Sequence, residues 1–143
     1  MPWTLFFDGS SCKQGGGIGI VIILPQGASF EFAFPTEPMI TNNQAEYEAI
    51  LKVLQLHEVK ADAIEVFGDS QLIINQLIGL YECKDDTLRG YYDECQKLLV
   101  EFLHVSFQQI PRAQNQEANR LAQSASGYRV FQEVLSSETS NDD

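Results

Sequence analysis

The chain has 143 residues, 44% of them hydrophobic and 20% charged, which suits one globular domain long enough to bury a core. No apolar run approaches the ~20 residues of a membrane span, and Met1-Pro2-Trp3-Thr4 lacks the basic start of a signal peptide, so an intracellular location, cytoplasm or nucleus, is expected. The formal net charge of -11 argues against a broad electrostatic grip on nucleic acid and for an acidic surface or a cluster of acids holding cations.

Trp3 to Phe7 is a nearly continuous apolar run that stops at Asp8-Gly9-Ser10-Ser11, the composition of a central strand entering a turn. Gly15-Gly16-Gly17 follows. A phosphate loop would need Gly-Lys-Ser/Thr and a helix directly after it, and neither is present, so a flexible loop beside the first strand is expected. Ile18 to Leu24 reads as a second strand, Pro25-Gln26-Gly27 as a hairpin turn, and Ala28 to Phe34 as a third strand.

Thr41 with Gln44 three residues on has the spacing of a capping box, and Asn42 and Asn43 also suit a helix start. From there to about Lys60, Ile50, Val53, Leu54 and His57 fall at helical spacing, and one turn back from Ile50 lies Glu46. Glu46 therefore shares the core-facing stripe, while Glu48 and Lys52 lie off it. An acid at such a position complements the helix dipole or needs a partner, because an unpaired buried carboxylate costs several kcal/mol or loses its charge.

Ala63 to Phe67 is a fourth strand closed by Gly68-Asp69-Ser70-Gln71, where Asp69 alone would read as a helix N-cap. A short helical run follows through Leu72, Ile73, Ile74 and Leu77. Asp85-Asp86-Thr87 opens a long amphipathic helix with Leu88, Tyr91, Tyr92, Cys95, Leu98, Leu99 and Phe102 on its core face. Val105 to Ile110 is a fifth strand, Pro111 to Gln114 its exit loop, and Asn115 a cap for a last helix with Ala118, Leu121, Ala122 and Ala125 inward. A domain over 1–128 and an acidic tail over 129–143 are expected. Cys12, Cys83 and Cys95, an odd number at unrelated spacings, read as free thiols.

The element order predicts an α/β fold, a five-stranded mixed sheet covered by helices on both faces, with Asp8, Glu46 and Asp69 converging from three elements. At these residues the chain resembles the type 1 ribonuclease H family, matched by Phe7-Asp8-Gly9-Ser10, Thr41-Asn42-Asn43-Gln44-Ala45-Glu46, Gly68-Asp69-Ser70-Gln71 and the closing pattern from Pro111 to Ala122. The resemblance covers nearly the whole chain in the right order.

It implies a ribonuclease H-like fold and endonucleolytic hydrolysis of the RNA strand of RNA/DNA hybrids, with two Mg²⁺ ions, Mn²⁺ as a substitute, held by four acids. Two such ions about 3.5–4 Å apart activate a water and stabilise charge on the scissile phosphate, and oxygen ligands suit Mg²⁺. By that likeness Asp8, Glu46 and Asp69 are three of the four ligands. Gly9, Ser10, Asn42, Asn43 and Gln71 match positions that touch the hybrid, whose minor groove displays 2′-hydroxyls and base edges.

Three departures qualify the likeness. The fourth acid belongs in Asn-x-x-Ala-Asp, but Asn115-Gln116-Glu117-Ala118-Asn119 places Asn119 there, which fits an engineered exchange or natural decay in a mobile-element copy. Glu117 points about 200° away round the helix and is no substitute. The loop before the last helix has no histidine, His104 lying too early, and Arg112 is the expected catalytic loop residue near the phosphate. The stretch from Ile78 to Asp86 has Lys84 as its only base, so a basic substrate-gripping protrusion is absent.

The likeness points to the archaeal-like branch that also occurs in long-terminal-repeat retrotransposons. The expected protein is a monomer, with a tethered reverse transcriptase or other polyprotein domain as a partner, and with activity reduced by Asn119. A catalytically impaired module that binds hybrid or a protein is the alternative.

Overall fold

The computed structural model describes residues 2–12, 15–55 and 62–126, in which five strands form one sheet of order β3-β2-β1-β4-β5. β1 (Trp3–Cys12), β2 (Gly15–Ile23) and β3 (Ser29–Thr36) make an antiparallel meander, while β4 (Ala63–Gly68) and β5 (His104–Gln109) run parallel to β1. Between them come α1 (Asn42–Leu54), α2 (Gln71–Leu77), α3 (Asp86–Leu99) and a 3-10 turn (Arg112–Gln114), followed by α4 over residues 116–126. The mixed sheet with helices on both faces is as expected. No helix among the described residues is long and apolar enough to cross a membrane.

One face of the sheet carries Leu5 and Phe7 of β1, Ile18, Ile20 and Ile22 of β2, and Ile64 and Val66 of β4. They meet Tyr47, Ile50, Val53 and Leu54 of α1, Ile73, Ile74 and Leu77 of α2, and Leu88 and Cys95 of α3 in one buried cluster. Each such large side chain removed from water contributes about 1.5–3 kcal/mol. The Tyr47 hydroxyl is satisfied inside this core by donating to Gln76 Oε1 at 2.6 Å.

The other face of β2 is where the sequence reading fails. Gly15–Gly17 are not a loop: they are strand residues paired with Cys12, Ser11 and Ser10. Their smoothness has a packing cause. A Cβ at Gly19 would overlap the Ala118 carbonyl oxygen and one at Gly17 that of Ala122, so both glycines let the α4 backbone lie directly on the sheet. Asp8 correspondingly sits within β1, opposite Gly19, and not in a turn. Its strand continues because β2 pairs with it as far as Cys12, beyond Phe6, where the parallel pairing with β4 ends.

Thr41 and Gln44 form the expected capping box, Gln44 N donating to Thr41 Oγ1 at 3.1 Å and Thr41 N to Gln44 Oε1 at 3.0 Å. α1 is described to Leu54; His57 and the stretch to Lys60 lie outside the described residues, as do the domain boundary at 128 and the acidic tail. Cys83 and Cys95 are free and buried, and the side chain of Cys12 lies outside the described residues.

Candidate active site

β1 and β4 lie side by side and parallel, so their C-terminal halves deliver Asp8 and Asp69 to the same end of the sheet. α1 brings the third acid by close approach. Gly9 has no room for a Cβ, which would strike the Ala45–Glu46 backbone, and so it seats the first turn of α1 on β1. Its amide donates to Glu46 Oε1 at 3.1 Å. One carboxylate oxygen each from Asp8, Glu46 and Asp69 lies within 4.8 Å of the others, the only such cluster among the described residues.

Asp69 is free to take part because it is not the cap of α2. Ser70 does that work, accepting from Ile73 N at 3.4 Å. Asn115 stands where α4 begins, Asn119 N donating to its carbonyl, but its side chain does not cap. It is 1% exposed and its Nδ2 donates to the Phe7 carbonyl at 2.9 Å and toward Asp69 Oδ2 at 3.5 Å, tying β1 to the acid after β4. One turn on, Asn119 Nδ2 donates to Asp8 Oδ2 at 2.6 Å. The contact of α4 with Gly19, the residue opposite Asp8, is what brings these two side chains together.

The charges are poorly compensated. Burial, and then the nearby Asp8 carboxylate, hold the Glu46 carboxyl well above the usual carboxylate range, with Asp69 adding a smaller push. Glu46 Oε2 is buried with no hydrogen-bond partner among the described residues. Asp69 is likewise raised, by burial and then by Asp8, with Asn115 and Arg112 opposing. An orphaned buried carboxylate oxygen beside two further acids is a donor set that a divalent cation fits, since its charge and ligand demand remove both costs.

These side chains line an open polar cleft of about 350 Å³ together with Gly9, Ser10, Ser11, Asn42, Asn43, Ser70 and Arg112. Of the residues singled out from sequence, Gln71 alone does not line it, being the first residue of α2 and exposed. Ser11, Ser70 and Asn115 were missed. Ser11 donates from its amide (3.1 Å) and hydroxyl (2.7 Å) to Asn42 Oδ1, fixing that carboxamide at the rim. An Asp-Ser pair before a helix is the local signal for Ser70. For Asn115 the signal was only a spacing of four from Asn119.

A family model described as reverse transcriptase-like matches residues 6–125. Ribonuclease HI of Halobacterium salinarum is 36% identical over 123 residues, 84% of this chain and 62% of that protein. The chain thus spans somewhat less than two thirds of that relative's length. The crystal structure of RNase H1 from the same archaeon superposes with a TM-score of 0.79 at 34% identity, over 87% of this chain and 97% of that one. LC11-RNase H1, solved in complex with an RNA/DNA hybrid, gives 0.81 at 28% identity, over 90% and 99%.

Proposed function

From the premise that the chain belongs to the type 1 ribonuclease H family, we propose that it is an endonuclease hydrolysing the RNA strand of RNA/DNA hybrids, with Asp8, Glu46, Asp69 and Asn119 as the cation-holding set. The observation that carries this reading is the close approach of carboxylate oxygens from Asp8, Glu46 and Asp69 at an open polar cleft, with Glu46 Oε2 buried and orphaned beside them. Two Mg²⁺ ions, with Mn²⁺ as substitute, would supply an activated water and charge stabilisation at the scissile phosphate.

The chain's own residues do the positioning. Arg112, held on the rim by the 3-10 turn after Pro111, offers its guanidinium to a phosphate oxygen. Asn42, its oxygen engaged by Ser11, keeps its amide N–H groups for acceptors in the hybrid minor groove, and Asn43, Ser10 and the Gly9 backbone extend that polar wall. Gln71, outside the cleft but next to Ser70, reaches the same groove further along. Asn115 Nδ2, anchored on the Phe7 carbonyl, also reaches Asp69 Oδ2 and so restrains that acid.

Asn119 departs from this scheme. Its amide removes one negative charge and hydrogen-bonds an Asp8 oxygen that a cation would otherwise take. Activity is therefore reduced, and the same bond favours a second reading, an impaired module that binds hybrid or a protein partner. A tethered reverse transcriptase or other polyprotein domain would supply grip that an acidic chain lacks. The halobacterial relative and the Pro111-Arg112 pair support the archaeal-like branch.

The test is cleavage of labelled RNA/DNA hybrid, duplex RNA and duplex DNA in Mg²⁺ and in Mn²⁺. Cutting confined to the RNA strand of the hybrid is expected. Cutting of duplex RNA in preference would refute the substrate, and a folded protein inert in both ions would favour the second reading.

A further inference from the structure

β3 ends the sheet, and among the described residues no strand lies along its outer edge. Its residues alternate. Phe30, Phe32 and Phe34 share the face of Ile22, Ile20 and Ile18 of β2, while Glu31 and Ala33 share the opposite one. The three isoleucines are buried, but the rings are 49%, 40% and 36% exposed. Phe32 and Phe34 stack with centroids 6.1 Å apart and planes 3° from parallel, and Lys52 Nζ lies 5.5 Å from the Phe34 ring centre. With Ile20, Ile22 and Val53 these two rings line a groove of about 280 Å³ beside α1. An open edge carrying a row of aromatics is what soluble proteins guard with charges, prolines or bulges, and β3 has only Pro35 near its end and Glu31 on the other face.

In place of the expected monomer, we propose that this edge pairs with a second copy of the chain, β3 against β3 antiparallel, about a two-fold axis at Phe32. That register sets Phe30 opposite the second copy's Phe34, Phe32 opposite Phe32, and Glu31 opposite Ala33. It is the one symmetric register that places all three rings opposite rings. An axis at Glu31 would oppose two like charges, and one at Ala33 would leave Phe30 facing Thr36. Glu31 shares Arg120, 3.2 Å away, with Glu117 at 3.0 Å and keeps part of its charge, which this register sets against Ala33 and not against a second acid.

The strength follows from area. Aromatic side chains of roughly 150–250 Å² at these exposures supply only about 200–300 Å² per copy, well under the ~800 Å² per partner of a standard interface, so the dimer is weak and reversible. Repulsion between two chains of net charge -11 opposes it, and salt relieves that repulsion. Because β1 and β3 are parallel, pairing through β3 places the two acidic clefts at opposite ends of a ten-stranded sheet, both open. The proposal does not depend on the nuclease reading.

Sedimentation velocity from micromolar to near-millimolar protein tests it, with cysteine exchange to read the register in a Cys12→Ser background. The parent should shift from monomer toward dimer with concentration, more so in high salt. Phe32→Lys should raise the dissociation constant at least about tenfold with its melting curve preserved. Phe32→Cys should form a disulfide-linked dimer, since opposed residues lie within disulfide reach of ~5.5 Å. Phe30→Cys should not, its copies being about four residues, roughly 13 Å, out of register. A parent that stays monomeric throughout, a dimer indifferent to Phe32→Lys, or crosslinking at position 30 in place of 32 would each overturn the proposal.

Discussion

Glu46 sits on the core-facing side of α1 at 6% exposure with one amide hydrogen bond and one orphaned oxygen, an arrangement that costs stability whenever the group is charged. In the unfolded chain it titrates near 4.5, and in the fold well above that value. Below the unfolded value the carboxyl is protonated in both states and burial costs no charge. As pH rises through the folded value that advantage is lost, so Glu46 destabilises the metal-free protein on the alkaline side. Glu46→Gln removes the titration. Its melting temperature without metal should match the parent's below the unfolded value and exceed it increasingly as pH rises from there through the folded value, whereas a difference constant with pH would assign the titration elsewhere. Millimolar Mn²⁺ should raise the parent's melting temperature by binding the folded state, and raise that of Glu46→Gln less. An unmoved parent would remove the cation site. Glu46 and Asp69 were legible in the sequence because each lies at a recognisable element start or end. Asn115 was not legible as a positioning residue, since its partners, Phe7 and Asp69, are 108 and 46 residues away.

At the scale of elements, glycines decide where helices can sit. Gly19→Ala would drive a methyl group into the Ala118 carbonyl and lift α4, which carries Asn115 and Asn119, off β2. Overpacking of this kind costs about 1–3 kcal/mol, a melting decrease of roughly 3–10 °C for a domain of this size, and hybrid cleavage should fall with it. Gly90, inside α3 with open space around it, makes the opposite case. Gly90→Ala should stabilise by roughly 0.5–1 kcal/mol through helix propensity. Thermal melts of the two variants check both signs together, and stabilisation by Gly19→Ala would show that α4 does not rest on the sheet as described. The capping box, the α3 stripe and the hairpin at Gly27 were readable because their causes are local. Gly15–Gly17 were misread as a loop because what makes them strand residues is pairing with β1 and, at Gly17, a helix about 100 residues later, and the cap of α2 passed to Ser70 because an Asp-Ser pair offers two caps of similar quality.

The whole molecule was legible as an α/β mixed sheet because each strand is a clear apolar run and each helix a clear period. Strand order and the exposed edge of β3 were not, since hydrophobic pattern alone does not distinguish an edge from an interior strand. A net charge of -11, with Arg112 the only base among the described residues that line the cleft, leaves few phosphates neutralised. Hybrid affinity of the chain alone should be weak, with a log–log salt slope shallower than about -3. Binding titrations across salt concentration check this, and a steep slope would reveal a basic surface elsewhere. The claim on which the functional account turns is that Asn119 occupies the fourth ligand position of a working hydrolytic site. The direct measurement is single-turnover cleavage of labelled hybrid in Mg²⁺ by the parent, by Asn119→Asp and by the Asp8→Asn/Asn119→Asp double variant. Restoring the charge should raise the rate at least about tenfold, a barrier change of ~1.4 kcal/mol, and the double variant should fall to background. Equal rates for the parent and Asn119→Asp would contradict the assignment of position 119 and leave the binding-module reading in its place.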